Sequence, residues 1–503
     1  MYNLCIMSKS KLSSSERKFL SDVTDVIHAN PFSEMRISAD SKLADFPPNS
    51  TYEERRIKII KMVASGVKKL FSEGKNDVRK FEGSDRILIE NAVLYHVYNI
   101  FFPKNDELIE SQISQGESPC KVPFAEEMIS MIRKLGFSDK EALHYFAAFF
   151  QMRRAYYFIA KTIVGRSPCM VYLRESLWNN VITSNIGLYT RELWDRMEDY
   201  STLILGETGT GKGMCAKAIG QSAYIPYDRE KGHYAESFTS AFVAMNLSQF
   251  PEQLIESELF GHKKGSFTGA VSDYDGALAR CRKHGAVFLD EIGEVPVPVQ
   301  IKLLQVLEDR EYSPVGSHEK KRFPGRIIAA TNRPLDRLRA EGVFRDDFYY
   351  RLCSDVIMVP TLSQRIAEDP KELVDLVNHM VRRIVGDKAD EIAGNVIKEI
   401  RKQVPQDYSW PGNVRELEQC IRRILLKRRY EIDLNSTPAG DIESLIIEGI
   451  KAGSLDAQTL LSHYCRILYD RYGSYEAVAR RAGLDRRTAK KYIENWGPQD
   501  MDL

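Results

Sequence analysis

The chain has 503 residues, more than one hydrophobic core usually supports, so about two to four domains are expected. Its hydrophobic content of 43% and charged content of 28% are typical of a soluble globular protein. The net charge of +1 excludes a general attraction of the whole molecule for nucleic acid or membranes, so any nucleic-acid affinity must come from a local basic patch.

The cysteines and the hydropathy pattern predict a cytoplasmic protein with no membrane association. The eight cysteines are scattered without a C-x-x-C pair, which argues against a disulfide framework and against a zinc site. No apolar run approaches the roughly 20 residues that a membrane-spanning helix needs. Residues 1–18 lack the apolar core of a signal peptide.

Residues 1–162 show only helical patterns and predict an all-α region. Helices are expected over residues 52–71, 84–102 and 138–163, and the last two are rich in aromatic residues. These rings could line a ligand pocket, or they could form the core of a helical domain. The sequence leaves both alternatives open.

From residue 163 strand-like apolar runs alternate with helical ones, which predicts a three-layer α/β domain with a parallel sheet over residues 163–362. Residues 363–431 carry helical patterns alone and predict a smaller helical subdomain, followed by a polar linker at 432–455. The five strands are expected at residues 202–205, 242–246, 286–290, 326–331 and 355–359.

A glycine-rich segment, Gly206-Glu207-Thr208-Gly209-Thr210-Gly211-Lys212, follows the first predicted strand and precedes a predicted helix from Met214 to Gly220. Its glycines let successive backbone N–H groups point at phosphate oxygens, and the helix adds its positive N-terminal end. Lys212 supplies a compact charge for the β- and γ-phosphates. Gly213 stands where a Ser or Thr hydroxyl for magnesium is usual. The alternative is a glycine-rich turn without a ligand.

Two later strands end in polar residues. Asp290 and Glu291 follow the third strand, where Asp290 could hold magnesium, directly or through water, and Glu291 could polarise an attacking water. Asn332 follows the fourth strand and could bond the γ-phosphate or that water. It could equally be a turn asparagine before Pro334.

Two arginines, Arg345 and Arg351, lie six residues apart after the fourth strand. Phosphoryl transfer is accelerated by an arginine that meets the developing negative charge, often from a neighbouring subunit. Such a role would require an oligomer. The alternative is a pair of surface arginines that form ion pairs with Asp346 and Asp347.

The C-terminal residues 456–503 predict a helix-turn-helix, with one helix over 474–482, a turn at Gly483 and a second helix from the N-cap Asp485 to Trp496. The second helix would present Arg486, Arg487, Thr488, Lys490 and Lys491 to DNA. With Arg480 and Arg481 included, residues 480–491 contain six basic residues and one acidic residue. This is the local positive patch that DNA binding requires. The alternative is a solvated basic helix in an ordinary hairpin.

The order of these motifs resembles that of the bacterial enhancer-binding proteins, AAA+ ATPases that activate sigma-54 RNA polymerase. The most specific segment is Gly265-Ser266-Phe267-Thr268-Gly269-Ala270, which is similar to the family's sigma-54-contacting loop G-A-F-T-G-A. Residues 410–417, which read WPGNVREL, match the family as well. The resemblance covers residues 163–431, and the C-terminal module is similar to the family's Fis-like helix-turn-helix.

The resemblance implies an α/β AAA+ module with a helical lid, ATP and Mg²⁺ as ligands, and assembly from dimers to a hexamer. It implies sigma-54 and double-stranded DNA as partners. The implied catalytic residues are Asp290, which would hold magnesium, and Glu291, which would activate water. Asn246 would pair with Glu291 as a switch, and Arg345 and Arg351 would be the arginine fingers that reach the nucleotide of the next subunit. The implied ATP-binding residues are Val164, Gly165, Gly206, Glu207, Thr208, Gly209, Thr210, Gly211, Lys212, Gly213, Met214, Asn332 and Arg415.

The sequence departs from the family at a few positions. Gly213 stands where family members commonly have Glu, and Ser266 stands where the family's loop has its first Ala. Extra residues near 175–200 and 221–240 have no predicted role, and residues 1–162 lack the α/β alternation of a phosphorylation receiver, so a helical sensor is expected there. The predicted function is an ATP-driven transcription activator. The alternatives are an AAA+ ATPase with another protein client and a DNA-binding regulator with little ATPase activity.

Overall fold

The structure, a computed structural model, describes residues 10–47, 50–427 and 456–494. Its contacts define two compact units, one that runs to residue 399 and includes 407–426, and one formed by residues 400–406 and the chain from 427 onward. No helix within the described ranges is long and apolar enough to cross a membrane.

The described part of the N-terminal region contains seven α-helices. Three of them begin with a capping box, in which Ser13, Thr51 or Ser138 accepts a backbone N–H from a glutamate three residues later. The predicted helix that ends at Phe102 instead stops at Ile100, and Pro103 lies in the first turn of the next helix. The bounds are α1 Ser14–His28, α2 Glu34–Leu43, α3 Tyr52–Ser72, α4 Gly83–Ile100, α5 Phe102–Gln115, α6 Ala125–Lys134 and α7 Asp139–Thr162.

A parallel five-stranded sheet follows, at the positions that the sequence predicts apart from one residue at the end of the last strand. Its strands are β1 Thr202–Leu205, β2 Phe242–Asn246, β3 Ala286–Asp290, β4 Arg326–Thr331 and β5 Asp355–Met358. They lie in the order β2-β3-β4-β1-β5. The register pairs Asn246 with Asp290 and Asp290 with Ala330, so the carboxyl ends of these strands share one edge.

Helices cover both faces of the sheet, which confirms the three-layer α/β prediction. Alternate side chains of β1 point to opposite faces, so Ile204 packs into one core and Leu203 into the other. The helices of this module are α8 Pro168–Ile182, α9 Ile186–Leu188, α10 Lys212–Gly220, α11 Glu252–Phe260, α12 Ala277–Arg280, α13 Val297–Asp309, α14 Leu335–Ala340 and α15 Asp346–Leu352.

The extra residues near 221–240 attach the N-terminal helices to the α/β module. Arg154 of α7 is fully buried, and its guanidinium donates to the carbonyl oxygens of Gln221 at 2.8 Å and Ala223 at 2.7 Å. A hairpin formed by Tyr227–Asp228 and His233–Tyr234 places Tyr234 on Phe150, with ring centroids 4.4 Å apart. The N-terminal helices and one face of the sheet therefore share one hydrophobic core.

The extra residues near 175–200 lie in the same interface. α8 packs between α7 and the sheet, and the side-chain amide of Asn180 donates to Thr202 Oγ1 at 3.0 Å and to Asp355 at 2.6 Å. These bonds attach the C-terminal half of α8 to the first residues of β1 and β5. Both insertions therefore join the N-terminal helices to the α/β module.

A helical lid follows the sheet, as the sequence predicts. Its helices are α16 Leu362–Glu368, α17 Lys371–Val385, α18 Ala389–Gln403 and α19 Asn413–Lys427.

Within residues 456–494, the second unit contains three helices, α20 Ala457–Tyr472, α21 Tyr475–Ala482 and α22 Arg486–Glu494, around a core that includes Cys465, Val478 and Ala489. Gly483 ends α21 with a φ of 69°, and the Asp485 carboxylate accepts the backbone N–H groups of Arg487 and Thr488 at 2.9 and 3.0 Å. The predicted turn and N-cap are therefore present. The predicted linker at 432–455 and the continuation of the last helix to Trp496 lie outside the described residues.

Candidate functional site

The phosphate loop lies at the carboxyl edge of the sheet, between β1 and α10. Lys212 is buried, and its ammonium donates to the carbonyl oxygens of Gly206 at 2.8 Å and Glu207 at 3.1 Å. Burial lowers the pKa of Lys212, while the charges of Glu291 and Asp290 raise it. The lysine charge therefore lies within the loop and is oriented by its backbone.

The loop glycines are required at two positions by close packing. A Cβ on Gly206 would lie 2.8 Å from the carbonyl oxygen of Val359, and one on Gly209 would lie 2.3 Å from that of Gly412. Gly209 also has a φ of 81°, a conformation that side chains rarely adopt. The loop is thus packed directly against the lid.

Asn413, the first residue of α19, joins the lid to the phosphate loop. Its side-chain amide donates to the carboxylate of Glu207 at 2.9 Å and to the carbonyl oxygen of Thr208 at 3.2 Å. Its side-chain oxygen accepts the backbone N–H of Leu362 at 2.8 Å. Sequence reasoning assigned Asn413 no role of its own, because its partners lie far away along the chain.

The turn that presents Asn413 has unusual backbone geometry. Trp410 and Asn413 both have a φ of 53°. Glu416 stabilises this turn by accepting the Gly412 N–H at 2.8 Å and the Tyr408 hydroxyl at 2.6 Å. Non-glycine residues in this conformation cost about 1–3 kcal/mol each, so the surrounding contacts hold the segment in a strained form.

The two acids and the asparagine that the sequence predicts meet beside the loop. Glu291 has a φ of 57°, and its carboxylate accepts the backbone N–H of Asn332 at 3.4 Å. The Asn332 side chain donates to Thr208 Oγ1 at 2.7 Å, so it bonds the phosphate loop. Asp290 accepts the N–H of Glu291 at 3.1 Å. The structure therefore brings Asp290, Glu291, Asn332 and Lys212 to one edge.

Asn246 ends β2, next to Asp290 in the register. In this structure its side-chain oxygen accepts the N–H of Ser248 at 3.0 Å and the Ser248 hydroxyl at 2.8 Å. The asparagine thus caps the turn after β2, while the backbone of Asn332 bonds Glu291. A switch pairing between Asn246 and Glu291 stays a prediction.

The two arginines have partners within the subunit. Arg345 binds Asp347 through both Nε and Nη2, at 3.0 and 2.6 Å, which agrees in part with the ion-pair alternative. Arg351 donates through Nε and Nη2 to the carbonyl oxygen of Leu307 at 3.1 and 2.9 Å. A role in a neighbouring subunit's site stays a prediction for both.

The segment that contains Val164 and Gly165 is attached to the lid by a buried ion pair that the sequence did not predict. Arg365 and Glu372 are almost fully buried and lie 3.1 Å apart. Arg365 donates to the Val164 carbonyl at 2.6 Å, and Glu372 accepts the N–H groups of Arg166 and Ser167, each at 2.7 Å. Burial alone would raise the pKa of Glu372, but the bonds from Ser167 and the charge of Arg365 lower it overall.

The residues around the loop fit a nucleoside triphosphate. Nothing lies within 4 Å of a Cβ placed on Gly211, and only Phe288, at 3.8 Å, lies within that distance of one on Gly213. The N-terminal turn of α10, which includes Met214, is therefore open where phosphates would bind. The lid contributes Arg415, whose backbone N–H donates to the Gly209 carbonyl at 3.3 Å. Asp290 supplies the carboxylate oxygens that magnesium prefers.

The segment Gly265–Ala270 forms a tight loop outside the nucleotide site. The Gly265 N–H donates to the Ala270 carbonyl at 2.8 Å, and Gly265 and Gly269 have φ values of 81° and 103°. Phe267 is 37% exposed and contacts the His262 ring edge to face at 4.9 Å. Ser266 packs against Gly316, and Thr268 is exposed. The loop therefore presents an aromatic side chain and a threonine to solvent.

The basic residues of the second unit form a solvent-exposed surface. Arg486, Arg487, Lys490 and Lys491 are exposed, while Thr488 is half-buried because its hydroxyl donates to Asp485 at 2.6 Å. Arg486 also lies 3.3 Å from Glu476. The cationic face that the sequence predicts on this helix is thus present on the surface.

Comparison with known proteins identifies the family. Residues 190–358 match the Sigma-54 interaction domain, and residues 368–440 match an AAA+ ATPase lid domain. The transcriptional regulatory protein GlrR of Escherichia coli K12 is 35% identical over 347 residues, which cover 66% of this chain and 67% of that protein. The regulator NtrC of Azospirillum brasilense is 38% identical over 270 residues, or 54% of this chain and 49% of NtrC.

A crystal structure of NtrX from Brucella abortus aligns with 73% of this chain and 79% of its own, with a TM-score of 0.40 and 23% identity. The family matches include the phosphate loop, the two acids, Asn332, the Gly265–Ala270 loop and the Asn413 turn. The chain therefore belongs to the sigma-54-dependent transcriptional activators, a family of AAA+ ATPases.

Proposed function

We propose that this protein hydrolyses ATP between the subunits of a ring and uses the Gly265–Ala270 loop to remodel the closed complex of sigma-54 RNA polymerase. The observation that carries the proposal is the convergence of Lys212, Glu291 and Asn332 at one edge of the sheet, with Asn413 of the lid bonded to the same loop. These bonds connect the reacting groups, the phosphate loop and the lid.

The proposed roles follow from the geometry and charge of each group. The Gly206–Gly211 backbone and Lys212 bind the phosphates, and Glu291 orients and polarises the attacking water. Magnesium, held by Asp290 directly or through water, would neutralise charge on the phosphates. Asn332 would respond to the γ-phosphate, a role that its bond to Thr208 of the loop supports. Arg345 and Arg351 would reach the nucleotide of the next subunit, which requires that they leave their present partners.

The C-terminal helices would bind a site upstream of the promoter. Helix α22 would enter the major groove and place Arg486, Arg487, Thr488, Lys490 and Lys491 near phosphates and base edges. Its N-cap and the α21–α22 turn support this assignment. The N-terminal helices would regulate the ring through the interface that the two insertions form.

A sigma-54 pull-down with the purified protein tests the proposal. With an ATP transition-state analogue the wild-type chain should retain sigma-54, while Lys212→Ala should not, because it cannot hold the nucleotide. Retention that is unaffected by Lys212→Ala would contradict the coupling of nucleotide to sigma-54 contact. A wild-type chain that hydrolyses ATP but never retains sigma-54 would favour another protein client.

A further inference from the structure

The N-terminal helices enclose a cavity of about 380 Å³ with the segment that precedes β1. Its walls come from α1 to α5 and α7 on one side, and from α8 and residues 185–191 on the other. The volume lies within the range of small-molecule sites. No residue of the phosphate loop or of the Gly265–Ala270 loop lines this cavity, so it is separate from the site described above.

Aromatic side chains make up about a third of the wall. Eight of the 25 lining residues are Phe, Tyr or Trp, among them Tyr52, Tyr98, Phe149, Tyr156 and Trp178. Tyr52 stacks on Tyr156 with centroids 5.8 Å apart, and Tyr98 meets Phe149 edge to face at 5.5 Å. Phe146 and Phe150 are core residues, as one of the two alternatives has it, whereas Tyr52, Tyr98 and Tyr156 line the cavity. That the cavity holds a ligand stays a prediction. Such walls favour a flat, apolar ligand body.

The charges around the cavity leave a positive surplus. Arg36 on the wall and Arg55 behind it share one carboxylate, Asp40, at 2.8 and 3.6 Å, and all three side chains are mostly buried. Arg191 also lies on the wall but is exposed to solvent, and no carboxylate among the described residues lies within ion-pair distance of it. The mostly buried residues Arg36 and Arg55 have one carboxylate for two guanidinium groups, and an anion in the cavity would stabilise both this surplus charge and Arg191.

The nearby acids are already neutralised. Glu90, the one acid on the wall, binds Arg86 at 2.7 Å. Arg56 on the wall binds Glu53 behind it, and Arg153 behind the wall binds Asp106. The ligand must therefore supply the missing negative charge, and a planar carboxylate matches the fork of an arginine.

The cavity is connected to the nucleotide site by α8. Trp178, near its C-terminal end, lines the cavity, and Asn180 bonds β1 and β5. Ser167, which precedes the N-terminus of the helix, donates to Glu372 of the lid at 2.7 Å. This single helix of 15 residues, about 22 Å long, thus contacts the cavity, the sheet and the lid.

We propose that this cavity binds a small aromatic carboxylate and that occupancy changes ATP turnover through α8. The binding part stands on the cavity alone, whereas the effect on turnover rests on the proposed function. The ligand would place its ring between the aromatic side chains and its carboxylate against Arg191, the wall arginine that has no carboxylate partner among the described residues.

Isothermal titration of the full chain with 2-naphthoate tests the site. We expect saturable binding at one site per chain, with an affinity at least about tenfold lower for the neutral isostere 2-naphthamide, since a charge-assisted hydrogen bond is lost. The saturated analogue decahydro-2-naphthoate should also bind more weakly. Absence of 2-naphthoate binding, or equal binding of the amide, would overturn the proposal.

A pair of variants locates the site. Arg191→Gln should weaken 2-naphthoate binding about tenfold, whereas Arg196→Gln, an exposed arginine of the same segment that does not line the cavity, should leave it unchanged. Equal affinities for Arg191→Gln and the wild type would place the ligand elsewhere and overturn the assignment.

ATP turnover tests the coupling separately. Saturating 2-naphthoate should change the ATPase rate of the wild type, and Arg191→Gln should need about tenfold more ligand for the same change. Binding without any change in a measurable rate would contradict the coupling through α8. A chain with no ATPase rate at all would count against the proposed function, and the titration would still decide whether the cavity is a site.

Discussion

The side-chain amide of Asn413 lies 2.9 Å from the carboxylate of Glu207 and attaches the first residue of the lid helix α19 to the phosphate loop. Because the Asn413 side chain also accepts the Leu362 N–H, one buried residue connects two lid helices and the loop that would hold the phosphates. The position of the lid is thereby coupled to the conformation of the nucleotide site.

Replacement of Asn413 should therefore impair both stability and nucleotide use. Asn413→Gly keeps the backbone at a φ of 53° but removes the three side-chain hydrogen bonds, and we expect a loss of about 2–4 kcal/mol in unfolding free energy. Asn413→Ala should lose about 1 kcal/mol more, because alanine is strained in that conformation. Denaturant unfolding and the KM for ATP measure both effects. Unchanged values for the glycine variant would show that the bonds do not support the lid.

Gly209 of the phosphate loop and Gly213 of the following helix α10 should respond oppositely to replacement by alanine. Gly213→Ala should raise the unfolding free energy by about 0.5–1 kcal/mol and keep ATP hydrolysis, since the added Cβ lies in a helix and meets only Phe288 at 3.8 Å. Gly209→Ala should destabilise the protein and weaken ATP binding, because its Cβ would lie 2.3 Å from the Gly412 carbonyl. Thermal unfolding and ATP titration compare the two variants. Loss of hydrolysis in Gly213→Ala would mean that the glycine itself is needed.

The buried pair Arg365–Glu372 should give the protein an acid-sensitive component of stability. The folded-state pKa of Glu372 is lowered, so its contribution is present above the unfolded value near 4.5 and is lost as pH falls through the folded value. Glu372→Gln should cost about 3–5 kcal/mol at neutral pH, since Arg365 is left buried without its partner. The difference from wild type should shrink below about pH 4.5.

An exposed carboxylate provides the control for this pH dependence. Glu368 accepts the Cys169 N–H at 2.7 Å near the same end of α8, but it is exposed. Glu368→Gln should therefore cost less than about 1 kcal/mol. Denaturant unfolding at several pH values measures both variants, and equal losses at neutral pH would contradict the role assigned to the buried pair.

The basic helix α22 should account for DNA affinity. Arg487→Ala combined with Lys491→Ala should weaken binding to an upstream promoter fragment at all salt concentrations. It should also reduce the slope of log affinity against log salt by about one for each lost phosphate contact. Arg401→Ala removes an exposed charge outside this helix and serves as the control. A double variant with wild-type affinity and slope would exclude α22 as the DNA-binding helix.

The sequence predicts local features better than the contacts between distant segments. The five strands, the phosphate loop and the Asp485 N-cap follow from short-range patterns, and each is present in the structure. The Arg365–Glu372 pair and the bonds of Asn413 join residues that are distant along the chain, so no local pattern reveals them. The insertion at 221–240 likewise acquires its role only where it meets α7.

The aromatic residues of the N-terminal region show why the rest could not be predicted. Phe150 and Tyr156 lie in one helix with similar apolar character, yet Phe150 stacks on Tyr234 of the insertion whereas Tyr156 faces the cavity. The difference depends on which segment of the chain packs against each side chain. A sequence pattern identifies a buried face but does not show whether its neighbours fill the space beside it.

Transcription from a sigma-54-dependent promoter, measured with purified polymerase alongside the ATPase rate, tests the central claim most directly. Phe267→Ala removes the exposed ring of the Gly265–Ala270 loop, whereas Val271→Ala alters an adjacent side chain that is 80% exposed and lies outside that loop. We predict that Phe267→Ala abolishes transcription while its ATPase rate stays within about twofold of wild type, and that Val271→Ala preserves both. Undiminished transcription by Phe267→Ala would contradict the account.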